Sequence, residues 1–123
     1  LDMFREMFLT TALAKVKEQD AACVPAEEVL YMATAAGAQC MGLADCDSLA
    51  VGKKADIIMI DLMQPNMQPE NDIAKNIVYS GSKQNVIMTM VNGRILYENG
   101  QFEIGFDPKE IYAKANAVIG RMK

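Results

Sequence analysis

The sequence predicts an α+β fold, with helices at both ends of the chain and a small antiparallel sheet between them. Three observations carry this. Apolar residues recur at three- and four-residue steps over residues 1–43 and again after residue 107, the spacing of helices with one buried face. Between these stretches the pattern changes to short apolar runs. Turn signals such as Asn92-Gly93 and Asn99-Gly100 separate the runs too closely to leave room for crossover helices, so neighbouring strands must be antiparallel.

The first helix is read over residues 1–19. Leu1, Phe4, Phe8, Leu9, Leu13 and Val16 share helical spacing, and Arg5, Lys15, Lys17 and Glu18 can face water. No capping residue and no initiator methionine are read at its start, so the chain is expected to be a piece of something longer. After the loop EQDAAC comes the clearest helix, VPAEEVLYMATAAGAQCMG. Pro25 suits its first position, and Glu27 and Glu28 suit the positive end of its dipole. Val29, Met32, Ala33, Ala36 and Cys40 mark one face, and the small residues Ala33, Ala35, Ala36, Gly37 and Ala38 allow a neighbour to approach closely. Gly42 is the expected stop.

DSLAVGKKAD then reads as a short strand and a turn, and Ala55 to Asp61 as a strand. MQPNMQPEND is a loop. Asn76 to Tyr79 and Val86 to Val91 read as strands linked by SGSKQN, and VNGRILYENGQF as a hairpin. Asp107 and Pro108 open a last helix with Ile111, Ala115, Val118 and Ile119 on one face. Roughly four short strands make a sheet that would be more stable packed against further strands. The chain divides accordingly into residues 1–43, 44–106 and 107–123.

Composition narrows the function classes. The 123 residues are 51% hydrophobic and 23% charged, ordinary for one globular domain. A net charge of −4 with scattered Lys and Arg gives no reason to expect a nucleic-acid partner. No apolar run approaches the roughly 18 residues of a membrane helix, and Asp2, Arg5 and Glu6 interrupt any leader-like stretch, so no membrane is expected. Cys23, Cys40 and Cys46 give no disulfide framework and suit a reducing, cytoplasmic setting.

The chemistry-bearing patterns fail one by one. The sequence holds no histidine, which removes histidine-based zinc sites, His acid–base catalysis and Ser-His-Asp triads. A phosphate loop ending at Gly52-Lys53 would need Gly at 47 and Ser or Thr at 54, where Asp47 and Lys54 stand. DCDSLAVG misses a calcium loop because Leu49 takes a ligand position. Asp45, Asp47, Asp56 and Asp61 read as turn caps and strand ends, and the odd spacing of Asp56 and Asp61 puts them on opposite sides of a regular strand. Lys53 and Lys54 read as solvated turn residues. The ten methionines read as core filling rather than a partner groove. No catalytic residue, metal ligand or cofactor is therefore assigned in this chain, and its substrate-binding residues are undetermined.

MATAAGAQCMGL, DSLAVGKKADIIMIDL and NIVYSGSKQNVIMTMVNGRILYENGQF, taken in order with LDMFREM at the start, resemble the C-terminal part of the amidohydrolase superfamily. The nearest group is the methylthioadenosine/S-adenosylhomocysteine deaminases with their chlorohydrolase relatives. The resemblance implies a parent (β/α)₈ barrel with a composite β-sandwich. Its divalent metal, zinc or iron, would be held by histidines and an aspartate at the ends of barrel strands, all before Leu1. Residues 1–43 would be the last barrel helices, 44–106 the C-terminal share of the sandwich, and 107–123 a terminal helix. Where members often carry a histidine in a P-x-x-x-P loop, this chain has Asn66, a position that is not a metal ligand in the family.

The resemblance also implies that the parent uses a metal-activated water to deaminate an aminopurine nucleoside, and that this chain alone is inactive. A small-molecule substrate belongs to the parent only. The missing N-terminal part would be the chain's partner, and without it the chain is expected to self-associate as a homo-oligomer, with its ordered core in Leu49 to Phe102. Two other readings stand beside this one. The parent could be a chlorohydrolase or another deaminase, or the chain could be a stand-alone, non-catalytic α+β assembly or binding module.

Overall fold

The computed structural model describes residues 2–122. Leu1, which the sequence places in the first helix, and Lys123 lie outside the described residues. Helix α1 spans Met3–Glu18. It does have a cap, against expectation: the Asp2 carboxylate accepts the Arg5 N–H at 3.4 Å. The helix ends at Gln19 in the left-handed region, and Lys15 Nζ reaches past that end to donate to the carbonyls of Ala21 and Cys23 at 2.6 and 2.7 Å. These bonds set the turn into the next helix.

Helix α2 begins as Ala26–Tyr31, with Pro25 one position earlier than predicted, at the cap. It widens into a π turn over Met32–Ala36 and closes as Gly37–Cys40. Small side chains at Ala33, Ala35, Ala36 and Gly37 leave room for the wide turn. Its end is as predicted. Gly42 has φ +72°, its N–H donates to Gln39 O at 3.0 Å and the Leu43 N–H donates to Ala38 O at 2.8 Å, the paired bonds of a glycine stop.

The strand expected within DSLAVGKKAD does not form, and the segment consists of bends and the expected turn, at Val51-Gly52. It has no partner strand, and its polar groups are satisfied locally instead, as in the Lys54 N–H bond to Asp45 O at 2.7 Å. Strand β1 is Ile57–Ile60. A 3₁₀ turn at Pro65–Met67 leads to helix α3, which runs Ile73–Lys75 and continues as a π turn over Asn76–Ser80. This overturns the strand predicted at Asn76 to Tyr79. Asp72 caps the helix by accepting the Lys75 N–H at 3.1 Å, and Asn76 Nδ2 ties it to the carbonyls of Met67 and Pro69. These bonds and the burial of Val78 override the strand preference of the apolar run.

Strands β2 (Val86–Val91), β3 (Arg94–Glu98) and β4 (Gln101–Phe102) complete an antiparallel sheet in the order β1-β2-β3-β4. Both predicted turns are present. Asn92 and Gly93 have φ of 49° and 78°, and Asn99 and Gly100 of 46° and 87°, so all four residues lie where two-residue hairpin turns require them. The tip at Asn92 also reaches β1: its N–H donates to Asp56 Oδ1 at 2.6 Å, and the Gly93 N–H to Ala55 O at 3.0 Å. Helix α4 spans Pro108–Arg121, with Asp107 accepting the Lys109 N–H at 2.9 Å.

The main core is not confined to Leu49 to Phe102. It is formed by Phe4 and Met7 of α1, Ala26 and Val29 of α2, and Val78 of α3, with Ile60 and Val86 of the sheet against its edge. The π turn at Asn76–Ser80 is what delivers Val78 into the helix pair. On α1 the buried line is Phe4, Met7 and Thr11, while the predicted Phe8, Leu13 and Val16 are exposed. No residue of α4 is buried.

Candidate functional site

Of the carboxylates singled out in the sequence, Asp45, Asp47 and Asp61 each hold a turn, and Asp56 accepts the Asn92 N–H of the hairpin tip. Asp47 Oδ1 accepts from Lys53 Nζ at 2.7 Å and from Ser48 Oγ, and Asp47 Oδ2 accepts from Gln39 Nε2 at 3.2 Å. The bond from Lys53, supported by that from Gln39, holds the Asp47 carboxyl below the usual carboxylate range. Asp45 pairs with Lys54 Nζ at 2.5 Å, and that bond lowers its pKa in the same way. Asp61 accepts from Gln64 Nε2 at 2.6 Å and from the Met63 N–H at 2.9 Å, which likewise favour its charged form, the Gln64 bond most.

Lys54 is exposed, as expected of a solvated turn residue, and Lys53 is half-buried, but both are paired. Lys53 Nζ also donates to the Ala44 carbonyl, so the two lysines fasten residues 44–47 to the turn before β1. Among the described residues no three His, Cys, Asp or Glu side chains come together in a way that could hold a metal ion. The cysteines are free. Cys46 is half-buried, and burial, then the neighbouring Asp56 carboxylate, push its thiol up, which opposes the thiolate a nucleophile needs.

The densest polar constellation is one that the sequence reading missed. Asn85 is 1% exposed. Its Oδ1 accepts from Asn66 Nδ2 at 2.9 Å, from the Ser82 N–H at 2.9 Å and from Ser82 Oγ at 3.1 Å. Its Nδ2 returns a bond to Asn66 Oδ1 at 3.2 Å, and Asn66 Nδ2 also donates to Ser80 O at 2.7 Å. The signal available in the sequence was the spacing Ser82-x-x-Asn85, a capping-box pattern at the start of the 3₁₀ turn Lys83–Asn85. A polar recess of about 410 Å³ lies beside the pair, lined by Gln64, Asn66, Ser80, Ser82 and Gln84. Amides and hydroxyls can orient neighbours there, but none of these groups exchanges a proton near neutral pH, so the recess has no acid, base or nucleophile of its own.

The second cavity is apolar. It occupies about 470 Å³ between α1 and α2, where Met3, Met7, Val29, Met32, Ala33 and Met41 line it. Met7, Met67 and Met88 are buried and fill the core as predicted, while Met3, Met32 and Met41 beside this cavity are exposed, as are Met59, Met63 and Met122, so core filling does not account for most of the methionines. The chain thus offers an apolar cavity between two helices and a locked polar junction.

The family model described as Amidohydrolase family matches residues 1–96. A 5-methylthioadenosine/S-adenosylhomocysteine deaminase from Moorella thermoacetica is 41% identical over 115 residues, which cover 93% of this chain and 27% of that protein. A 5′-deoxyadenosine deaminase from Methanobrevibacter smithii is 38% identical over 125 residues, covering 100% of this chain and 28% of that protein. Among solved structures, a zinc-bound adenosine deaminase from Xanthomonas campestris superposes with a TM-score of 0.92 at 28% identity, over 97% of this chain and 27% of that one. An atrazine chlorohydrolase from Arthrobacter aurescens TC1, complexed with zinc, gives 0.70 at 31% identity, over 78% of this chain and 21% of that one. The chain spans about a quarter of the length of these proteins.

Proposed function

The chain belongs to the amidohydrolase family, and from that premise we propose that it is the C-terminal portion of a metal-dependent hydrolase that deaminates aminopurine nucleosides of the methylthioadenosine/S-adenosylhomocysteine type. The observation that carries the proposal is the run of similarity to deaminases acting on such nucleosides, which extends over nearly the whole chain. The reaction is replacement of the exocyclic amine of the purine by oxygen from water, releasing ammonia.

The described residues do not fit a catalytic zinc or iron site. The sequence has no histidine, and Asp45, Asp47 and Asp61 are committed to ion pairs or turn bonds. The zinc in the similar structures supports a divalent metal in the parent, held by residues outside this chain. On this reading the 123-residue chain alone is inactive.

This chain's share is then architectural. Residues 1–43 supply the last helices around the barrel, residues 44–106 the C-terminal part of a composite sandwich, and residues 107–123 a terminal helix. The apolar cavity between α1 and α2 and the exposed sheet residues Ile58 and Met59 support packing against the N-terminal remainder of the parent. The small-molecule substrate binds only in that assembled parent. No nucleic acid or membrane enters this reading, and no helix among the described residues is long and apolar enough to cross a membrane. The free cysteines support a reducing, cytoplasmic setting.

Similarity to an atrazine chlorohydrolase favours a second reading, in which the parent displaces chloride from a triazine. Assay of the full-length parent on methylthioadenosine, S-adenosylhomocysteine, 5′-deoxyadenosine and a chlorotriazine separates the two. Ammonia from the nucleosides is expected; chloride from the triazine with no ammonia from any nucleoside would replace the first reading by the second.

A further inference from the structure

We draw no further inference here: the strongest candidate, the exposed apolar face of the C-terminal helix formed by Ile111, Val118 and Ile119, is an unpartnered surface and nothing in the structure shows what covers it.

Discussion

Gly81 sits against the ring of Phe4, so close that a Cβ at position 81 would stand 2.8 Å from Phe4 Cδ1 and would also strike the carbonyl oxygen of Ile77. The backbone there is extended, with φ −65°, so space rather than conformational freedom requires glycine. Gly81→Ala is expected to push α3 away from α1 and to destabilise the protein by about 1–3 kcal/mol, the usual range for overpacking. Chemical denaturation of the parent enzyme checks this. An unchanged midpoint would mean that the α1–α3 contact is loose enough to admit a methyl group.

Asn85 and Asn66 exchange bonds in both directions, and Ser82 uses the same acceptor. Asn85→Ala would remove both bonds to Asn66 and leave the half-buried Ser82 N–H without its acceptor. A loss of about 1–3 kcal/mol is expected from the unsatisfied groups. Asn66→Ala should cost less in the Asn85→Ala background than alone, because its two bonds to Asn85 are already gone. Additive losses in a double-mutant cycle would show that the two amides do not act together.

The Asp47–Lys53 pair makes the loop 44–56 sensitive to acid. The folded-state pKa of Asp47 lies below its unfolded value, with the Lys53 bond as the largest cause. A carboxylate of that kind contributes stability in full above its unfolded pKa, about 3.9. The contribution disappears as the pH falls through that value and on to the lower folded one. Asp47→Asn should therefore flatten the stability profile below about pH 4 and change its slope little from pH 6 to 8. Denaturation midpoints for both proteins across that range provide the check, and parallel profiles would count against the pair.

Without the rest of the parent, α1 and α4 leave large side chains in water. Val16 is 77% exposed, and Phe8, Leu13, Ile111, Val118 and Ile119 are exposed with it. Covering such a side chain is worth about 2 kcal/mol, and several together rival the whole stability of a small domain. The isolated 123-residue chain is expected to self-associate at micromolar concentration. Multi-angle light scattering decides this; a compact monomer would revive a stand-alone module.

What could be read from the sequence, and what could not, follows from the range of the forces involved. Asn92-Gly93, Gly42 and Asp107-Pro108 announce their turns and caps because backbone geometry is a local property. Ile77 and Val78 read as strand in the sequence because a short apolar run looks the same in a buried strand and a buried helix. The Asp72 cap ahead of them was the local clue, but burial of Val78 between α1 and α2 is a tertiary fact. Pairing of Lys53 with Asp47 and Lys54 with Asp45 depends on how the loop folds back, which charge spacing does not specify. The reacting centre was not legible for a different reason: the histidines that the resemblance implies for it are absent from this chain.

The most direct measurement is ammonia release from S-adenosylhomocysteine and methylthioadenosine by the full-length parent, run beside the 123-residue chain, with bound metal counted in both. Turnover and a stoichiometric divalent metal are expected in the parent, with neither in the shorter chain. Deamination by the 123-residue chain alone, abolished by a chelator and restored by zinc, would contradict the division of labour proposed for it.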